Sequence, residues 1–264
     1  MNVATKPPAA RQRWSEAEWR IRCDLAALYR LCAHFRWTDL IYTHISARVP
    51  GPEHHFLLNR YGIMHHEMRA SDLVKIDAEG RPVEEPAPGR DGRGGSPVNA
   101  AGFVIHSAVH MAREDAHFVI HTHTQAGIAV AAQRQGLLPI SQHAMKFHGH
   151  LAYHDYEGVA LDLDERERLV RDLGPHDAMI LRNHGLLACG RTAARCFDQI
   201  YYLERACAAQ VAAQSGGAEL VIPPEAVCRH AAEQFRRDRP EESYDLAWTA
   251  ALRLIENDRP DYRS

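Results

Sequence analysis

The chain has 264 residues, 45% of them hydrophobic, and a formal net charge of −3, which is the composition of an ordinary globular protein. Because this small charge excludes a broad basic field, we expect no nucleic-acid partner. The sequence has no apolar leader and no run of about 18 apolar residues, which predicts a soluble, cytoplasmic protein without a membrane partner.

The first third of the chain predicts one helix and three short strands. Residues 1–13 are rich in Pro, Ala and Arg and predict a flexible tail. Ser15 and Glu18 form a capping-box pattern at the start of a helix. Its apolar residues recur with a helical period at Ile21, Leu25, Leu28, Cys32 and Phe35. Short β-branched segments then predict strands over 42–49, 55–58 and 73–77.

The rest of the chain mixes helices with apolar strands. Residues 84–97, rich in Pro, Gly and Arg, predict a flexible loop. The predicted elements that follow are a helix over 98–111, a strand over 116–123, a helix to 134, strands over 178–183 and 186–189, and a long helix over 193–211. Residues 223–264 predict two C-terminal helices. Because no repeat or change of composition divides the chain, we predict a single domain over residues 1–264.

The 18 histidines are the unusual feature of the composition, because histidine is the commonest metal ligand in proteins. His121 and His123 end the predicted strand over 116–123. Side chains at i and i+2 of a strand point to the same face, so both imidazoles can bind one ion. His184 is the candidate third ligand, because Gly185 allows a sharp turn that presents its ring. Three histidines leave coordination positions open, as a catalytic metal requires. The alternative is a pair of hydrogen-bonded histidines at a strand end.

Several strings in this region resemble the class II aldolase/adducin family, in particular its adducin-type branch. They are Asn99-Ala-Ala-Gly-Phe-Val-Ile-His106, Val119-Ile-His-Thr-His123, Gly136-Leu-Leu-Pro-Ile-Ser141, Ala152-Tyr-His-Asp-Tyr156 and Ile180-Leu-Arg-Asn-His-Gly185. The resemblance covers about residues 20–215. In the family's aldolases, the H-x-H pair and the His of N-H-G bind a divalent cation, which implies His121, His123 and His184 as the metal ligands here.

The resemblance also implies a fold and an assembly. The implied fold is of the α/β class, a three-layer α/β/α sandwich around a central, mostly antiparallel sheet. Enzymes of the family are commonly tetramers with sites at subunit boundaries. We therefore expect a homo-oligomer, in particular a tetramer, that acts on a small-molecule substrate.

Two features depart from the sugar-phosphate aldolases of the family. Register from His121 places Gly102 at the position of their acid/base Glu. Their phosphate-binding loops are also altered, because residues 38–46 lack the G-N pair and Asn59-Arg-Tyr-Gly62 replaces T-x-S-G. The sequence therefore argues against a phosphorylated sugar as the substrate.

Other residues are candidates for the catalytic and substrate-binding roles. His106 lies one helical turn from Gly102 and is a candidate catalytic residue, with a hydrogen-bonded core histidine as the alternative. Glu67 is a candidate replacement base. The candidate substrate-binding residues are Arg60, His148 and Tyr153. A structural ion pair is the alternative for Arg60, and a solvated loop position is the alternative for the other two.

These observations are compatible with three functions. The first is a metal-dependent lyase that cleaves a C–C bond of a small oxo- or hydroxy-acid, by aldol or decarboxylation chemistry, through a metal-stabilised enolate. Zn is the expected ion, with Fe(II) or Mn as alternatives, because three neutral imidazoles suit several metals. The second is a non-haem Fe(II)-dependent oxygenase or oxidative decarboxylase on the same fold. The third is an adducin-like, non-catalytic binding protein, against which the three retained histidines argue.

Overall fold

The computed structural model describes residues 13–84, 98, 100–158, 165–237, 240–257 and 260–264, without the side chains of 100–103. Apart from residues 13 and 84, the predicted tail over 1–13 and the predicted loop over 84–97 lie outside the described residues. The prediction of a single domain over residues 1–264 stays a prediction.

Within the described residues, the α-helices are α1 (Glu16–His34), α2 (Ala100–Ala112), α3 (Gln125–Ala131), α4 (Gln142–Met145), α5 (Glu165–Leu173), α6 (Ala193–Gln214), α7 (Glu225–Arg237) and α8 (Glu241–Glu256). The strands are β1 (His44–Arg48), β2 (Phe56–Leu58), β3 (Val74–Ile76), β4 (Phe118–Thr122), β5 (Ala152–His154), β6 (Ala178–Leu181) and β7 (Gly185–Gly190). Single 3₁₀ turns lie at His65–Glu67, Ala70–Asp72 and Pro260–Arg263. None of these described helices is long and apolar enough to cross a membrane.

The strands form one sheet in the order β3-β2-β1-β4-β7-β6-β5, in which β5 and β6 are parallel and all other neighbours are antiparallel. The strand β4 is therefore central. Its His121 lies opposite His44 of β1 on one side and Leu187 of β7 on the other. Because directly opposed residues of antiparallel strands point to the same face, His44 and His121 share one side of the sheet.

Helices cover both faces of the sheet, which explains why β4 is apolar at successive positions rather than at every second one. Phe118 and Ile120 belong to a core that includes residues of α1, α6 and α8. Val119, which points the other way, belongs to a second core with residues of α2 and α5. The predicted three-layer α/β/α sandwich with a mostly antiparallel sheet is confirmed.

Some local predictions differ from the structure. The sequence predicted no helix or strand between residues 134 and 178, but the structure has α4, β5 and α5 there. The predicted capping box is only half present. Ser15 Oγ accepts the N–H of Glu18 at 3.1 Å, but the Glu18 carboxylate binds Arg22 and Lys75 instead of returning to the helix start. Since Arg22 is fully buried, its charge requires a carboxylate partner more than the exposed helix start does.

Candidate metal centre

The three predicted metal ligands come together at one end of the central strands. His121 lies in β4, and His123 is the first residue after it. The Nε2 atom of His121 is 2.8 Å from Nε2 of His123 and 3.2 Å from Nε2 of His184. All three ligand nitrogens lie within 4.8 Å of one another. The structure thus gathers two neighbouring histidines and a third from 61 positions further along the printed sequence.

A tight turn between β6 and β7 presents His184 to the other two histidines. Asn183 has a φ of +56°, a left-handed conformation that asparagine adopts more readily than most residues. Gly185 then begins β7 directly against the end of β4. A Cβ atom at this position would lie only 2.3 Å from the carbonyl oxygen of Thr122 and 3.2 Å from Cδ2 of His123. The N-H-G string is therefore explained by a turn followed by a close backbone approach.

Hydrogen bonds fix the orientation of two of the imidazoles. His121 Nδ1 lies 2.8 Å from the carbonyl oxygen of Leu186, and His123 Nδ1 lies 3.0 Å from Oδ2 of Asp39. Because a carbonyl and a carboxylate only accept hydrogen bonds, both Nδ1 atoms carry the proton. Each Nε2 atom of this pair therefore points a lone pair into the space between the rings. Such an outer partner for each ligand is typical of histidines that bind metal.

The geometry of the three nitrogens fits a divalent cation. Lone pairs that face each other at 2.8 Å repel unless a proton or a metal ion lies between them. A proton is disfavoured, because burial lowers the pKa of His121 well below its usual value and that of His184 to about 4. With Zn–N distances of about 2.0–2.1 Å and tetrahedral angles, two ligand nitrogens lie about 3.3 Å apart. The separation of 3.2 Å between the Nε2 atoms of His121 and His184 nearly equals this value, and the His121–His123 pair is about 0.5 Å closer than it.

The loop before β1 brings an acidic side chain to the centre, which the sequence did not predict. Asp39 is half-exposed and binds His123 from the solvent side. Three residues of this loop, Arg36, Leu40 and Thr43, have positive φ angles. This conformation is unusual for any non-glycine residue and most of all for the β-branched Thr43. Backbone strain of this kind is frequent at functional sites, so the loop conformation agrees with a role of Asp39 in the site.

His106 belongs to a buried polar network on the same side of the sheet as His121. Ser46 Oγ lies 2.7 Å from both His106 Nδ1 and His110 Nε2. His110 donates its Nδ1–H to the carbonyl of Ala116, so its Nε2 accepts the Ser46 hydroxyl proton. The Ser46 oxygen then accepts the Nδ1–H of His106. This leaves His106 Nε2 as a buried acceptor with no hydrogen-bond partner among the described residues.

The other predicted site residues have structural contacts, and their functional roles stay predictions. The Glu67 carboxylate accepts the N–H of Met64 at 3.1 Å and closes a single 3₁₀ turn. Arg60 lies in the turn after β2, where its carbonyl accepts the N–H of Ile63. Gly102 lies in the first turn of α2, but the side chains around it lie outside the described residues, so its predicted position beside the metal also stays a prediction.

His148 and Tyr153 share one small cavity of about 100 Å³, and none of the three candidate metal ligands lines it. His148 Nε2 lies 3.0 Å from a carboxylate oxygen of Glu225. The Tyr153 hydroxyl accepts the N–H of Leu137 at 3.0 Å. These hydrogen bonds are structural, and the predicted substrate contacts of both residues stay predictions.

The part of the chain that contains this site matches a known protein family. Residues 23–211 match the family model described as the Class II Aldolase and Adducin N-terminal domain. The chain belongs to this family. The resemblance predicted from the motif strings is therefore confirmed, and the matched range contains all three histidines of the metal centre.

Members of the family that are similar to this chain include proteins named as aldolases and as adducins. An aldolase II superfamily protein from Pseudomonas syringae is 51% identical, with a TM-score of 0.89 over 96% of this chain and 99% of that one. An L-fuculose 1-phosphate aldolase from Glaciozyma antarctica is 27% identical, with a TM-score of 0.80 over 94% and 93% of the two chains. Alpha-adducin of Rattus norvegicus is 42% identical over 212 residues, which cover 79% of this chain but 28% of adducin.

Proposed function

We propose that the protein is a metal-dependent lyase that cleaves a C–C bond of a small oxo- or hydroxy-acid, by aldol or decarboxylation chemistry. The convergence of the Nε2 atoms of His121, His123 and His184 supports this proposal most directly. Zn is the ion we propose, with Fe(II) or Mn as alternatives for the same ligand set. When bound, such a cation supplies a Lewis acid that stabilises the negative charge developing on a substrate oxygen.

The protein's own residues orient the ligands and leave room for the substrate. The carbonyl of Leu186 and the carboxylate of Asp39 hold His121 and His123 in the tautomer that directs Nε2 inwards. Three protein ligands leave coordination positions open, which a substrate oxygen or water can occupy. Asp39 is half-exposed, so the centre is reached from solvent on the side of the loop before β1.

Proton transfer is the role we assign to His106. Its buried Nε2 atom has no hydrogen-bond partner among the described residues, and the Ser46 oxygen holds the proton on Nδ1. Burial lowers the pKa of this imidazole, so Nε2 is unprotonated and can accept a hydrogen bond from a substrate hydroxyl. We favour His106 over Glu67, because the Glu67 carboxylate already caps its own turn. His106→Gln should reduce kcat and alter its pH profile while metal content is unchanged.

We propose that the active form is a homotetramer whose site lies near a subunit boundary. Leu40 is 65% exposed and Tyr42 is 45% exposed, and both lie in the loop that carries Asp39. Exposed apolar side chains beside a site are frequent in interfaces. A tetrameric mass by light scattering at micromolar concentration is the expected result, and a monomeric mass would contradict it.

We also propose a cytoplasmic location, since the six cysteines are free and buried, as in proteins of reducing compartments.

An adducin-like binding role is the second candidate function, favoured by the 42% identity to alpha-adducin. Elemental analysis of protein purified without added metal distinguishes the functions. Zinc near one equivalent that is lost in His121→Ala would support the lyase. Iron with substrate-triggered oxygen consumption would support the oxygenase alternative. A protein that holds no metal, even after addition of zinc, would refute the lyase and support the binding role.

A further inference from the structure

A buried carboxylate lies behind the metal centre, on the α6 side of the sheet. Glu204 projects from α6 and is only 4% exposed. Its Oε1 accepts the hydroxyl proton of Thr122 at 2.5 Å, and its Oε2 accepts that of Thr124 at 2.6 Å. These threonines alternate with His121 and His123 along the chain. One side chain thus binds both residues that flank His123.

The position of this carboxylate is costly for the core. Burial of an ionised group without a counter-ion is unfavourable, and it raises the pKa of Glu204 to about 7. Among the described residues, the groups that offset this effect are the hydroxyls of Thr122 and Thr124. Ile200, Leu203 and Cys207, which surround Glu204 on α6, all belong to the apolar core. A leucine at this position would avoid the cost of burying a carboxylate. The hydrogen bonds to Thr122 and Thr124 are therefore the interactions that explain why a carboxylate occupies it.

We propose that Glu204 is a positioning residue for the metal centre, an inference that rests on the proposed metal-dependent function. By holding Thr122 and Thr124, it prevents the peptide units on both sides of His123 from rotating, so the ligand nitrogens keep the spacing that a cation requires. Thr124 Oγ1 also accepts the N–H of Gly127 at 3.1 Å, which ties the start of α3 to the same carboxylate. Asp39 orients the ring of His123 from the solvent side, and Glu204 fixes its backbone from the core.

The proposal is tested by zinc affinity, measured by competition with a chromogenic chelator, and by the visible absorption spectrum of the Co²⁺-substituted protein. Glu204→Gln keeps the shape of the side chain but offers one acceptor oxygen, so one threonine loses its acceptor. We expect the zinc Kd to rise by about tenfold to a hundredfold, as for other groups that orient ligands, and the cobalt bands to change. Thr122→Val should act in the same direction. Thr122→Ser, which keeps the hydroxyl, should restore the wild-type Kd and spectrum.

Gln210 provides a matched control on the same helix. It is fully buried and binds Leu138 and Gly136, so Gln210→Met removes buried hydrogen bonds away from the metal centre. This variant should lower the Tm by about 3–8 °C and leave the zinc Kd unchanged.

The outcomes separate a positioning role from a structural one. If Glu204→Gln and Thr122→Val lower the Tm but keep the wild-type zinc Kd and cobalt spectrum, the carboxylate is only part of the core and the proposal is wrong. If Glu204→Gln does not fold, the comparison of Thr122→Val with Thr122→Ser decides the question by the same criterion. A wild-type protein that binds neither zinc nor cobalt would refute the proposed function itself, and the positioning role with it.

Discussion

Gly185 permits a close approach between the two strands whose ends carry the proposed metal ligands, and substitution of this residue tests the geometry of the site. A Cβ atom here would lie 2.3 Å from the carbonyl oxygen of Thr122. Because such contacts are not tolerated below about 3.0 Å, Gly185→Ala must move one of the two backbones by about 0.7 Å. Metal–ligand distances tolerate changes of only about 0.2 Å. A shift of this size should therefore separate His184 from His121 and His123.

We expect Gly185→Ala to lower the free energy of unfolding of the metal-free protein by about 1–3 kcal/mol through overpacking. We also expect zinc affinity to fall by at least about tenfold, which corresponds to a loss of about 1.4 kcal/mol or more in binding free energy. Urea unfolding and chelator competition measure the two quantities. Gly216→Ala is the control, because its Cβ would meet nothing within 4 Å and should change either quantity by less than about 0.5 kcal/mol. If Gly185→Ala keeps wild-type stability and zinc affinity, the close approach does not position His184.

Three further changes test the surroundings of the site and the protonation of the core. Asp39→Asn removes the charge that orients His123 and should raise the zinc Kd by about tenfold with little effect on stability, so an unchanged Kd in chelator competition would contradict the assignment. His184→Ala should abolish stoichiometric zinc in elemental analysis while urea unfolding of the metal-free protein stays close to wild type, and full occupancy would exclude His184 as a ligand. Burial lowers the pKa of both His65 and His110 to about 3, so the unfolded chain binds more protons than the native protein below pH 6.5. Each of these two histidines should therefore lower the free energy of unfolding by about 1.5–2 kcal/mol as the pH falls from 6.5 to 5. In urea unfolding at both pH values, His110→Gln should lose less unfolding free energy on acidification than the wild-type protein. An equal loss in the two proteins would show that His110 is not buried in its neutral form.

The grouping of the three candidate ligands could be predicted because its sequence signals are local. Alternation along a strand places His121 and His123 on one side without knowledge of the fold. Gly185 marks the turn that presents His184. The order of the strands, in contrast, has no local signal, and the predicted sandwich came from the family resemblance.

The contacts of Asp39 and Glu204 around the three candidate ligands were not predicted, because these residues are distant in sequence from the histidines. Asp39 is 84 positions from His123, and no pattern around it indicates the contact. For Glu204 a signal existed, since a charged residue interrupts the apolar stripe of α6. The strand β5 was not predicted, because three residues are too few to show the alternation of apolar and polar side chains that identifies a strand. Its parallel partner β6 also follows only after the helix α5, so no nearby turn indicates the pairing.

The central place of β4 bears on how the protein should behave without the proposed metal ion. Hydrogen bonds to β1 on one side and β7 on the other protect its amides, so they should exchange with solvent only when the whole sheet opens. We expect β4 to be the last segment to unfold, and it carries two of the three imidazoles, His121 and His123, at its end. We therefore expect that the protein without the proposed ion stays folded, resists proteolysis and takes up a new ion without first refolding.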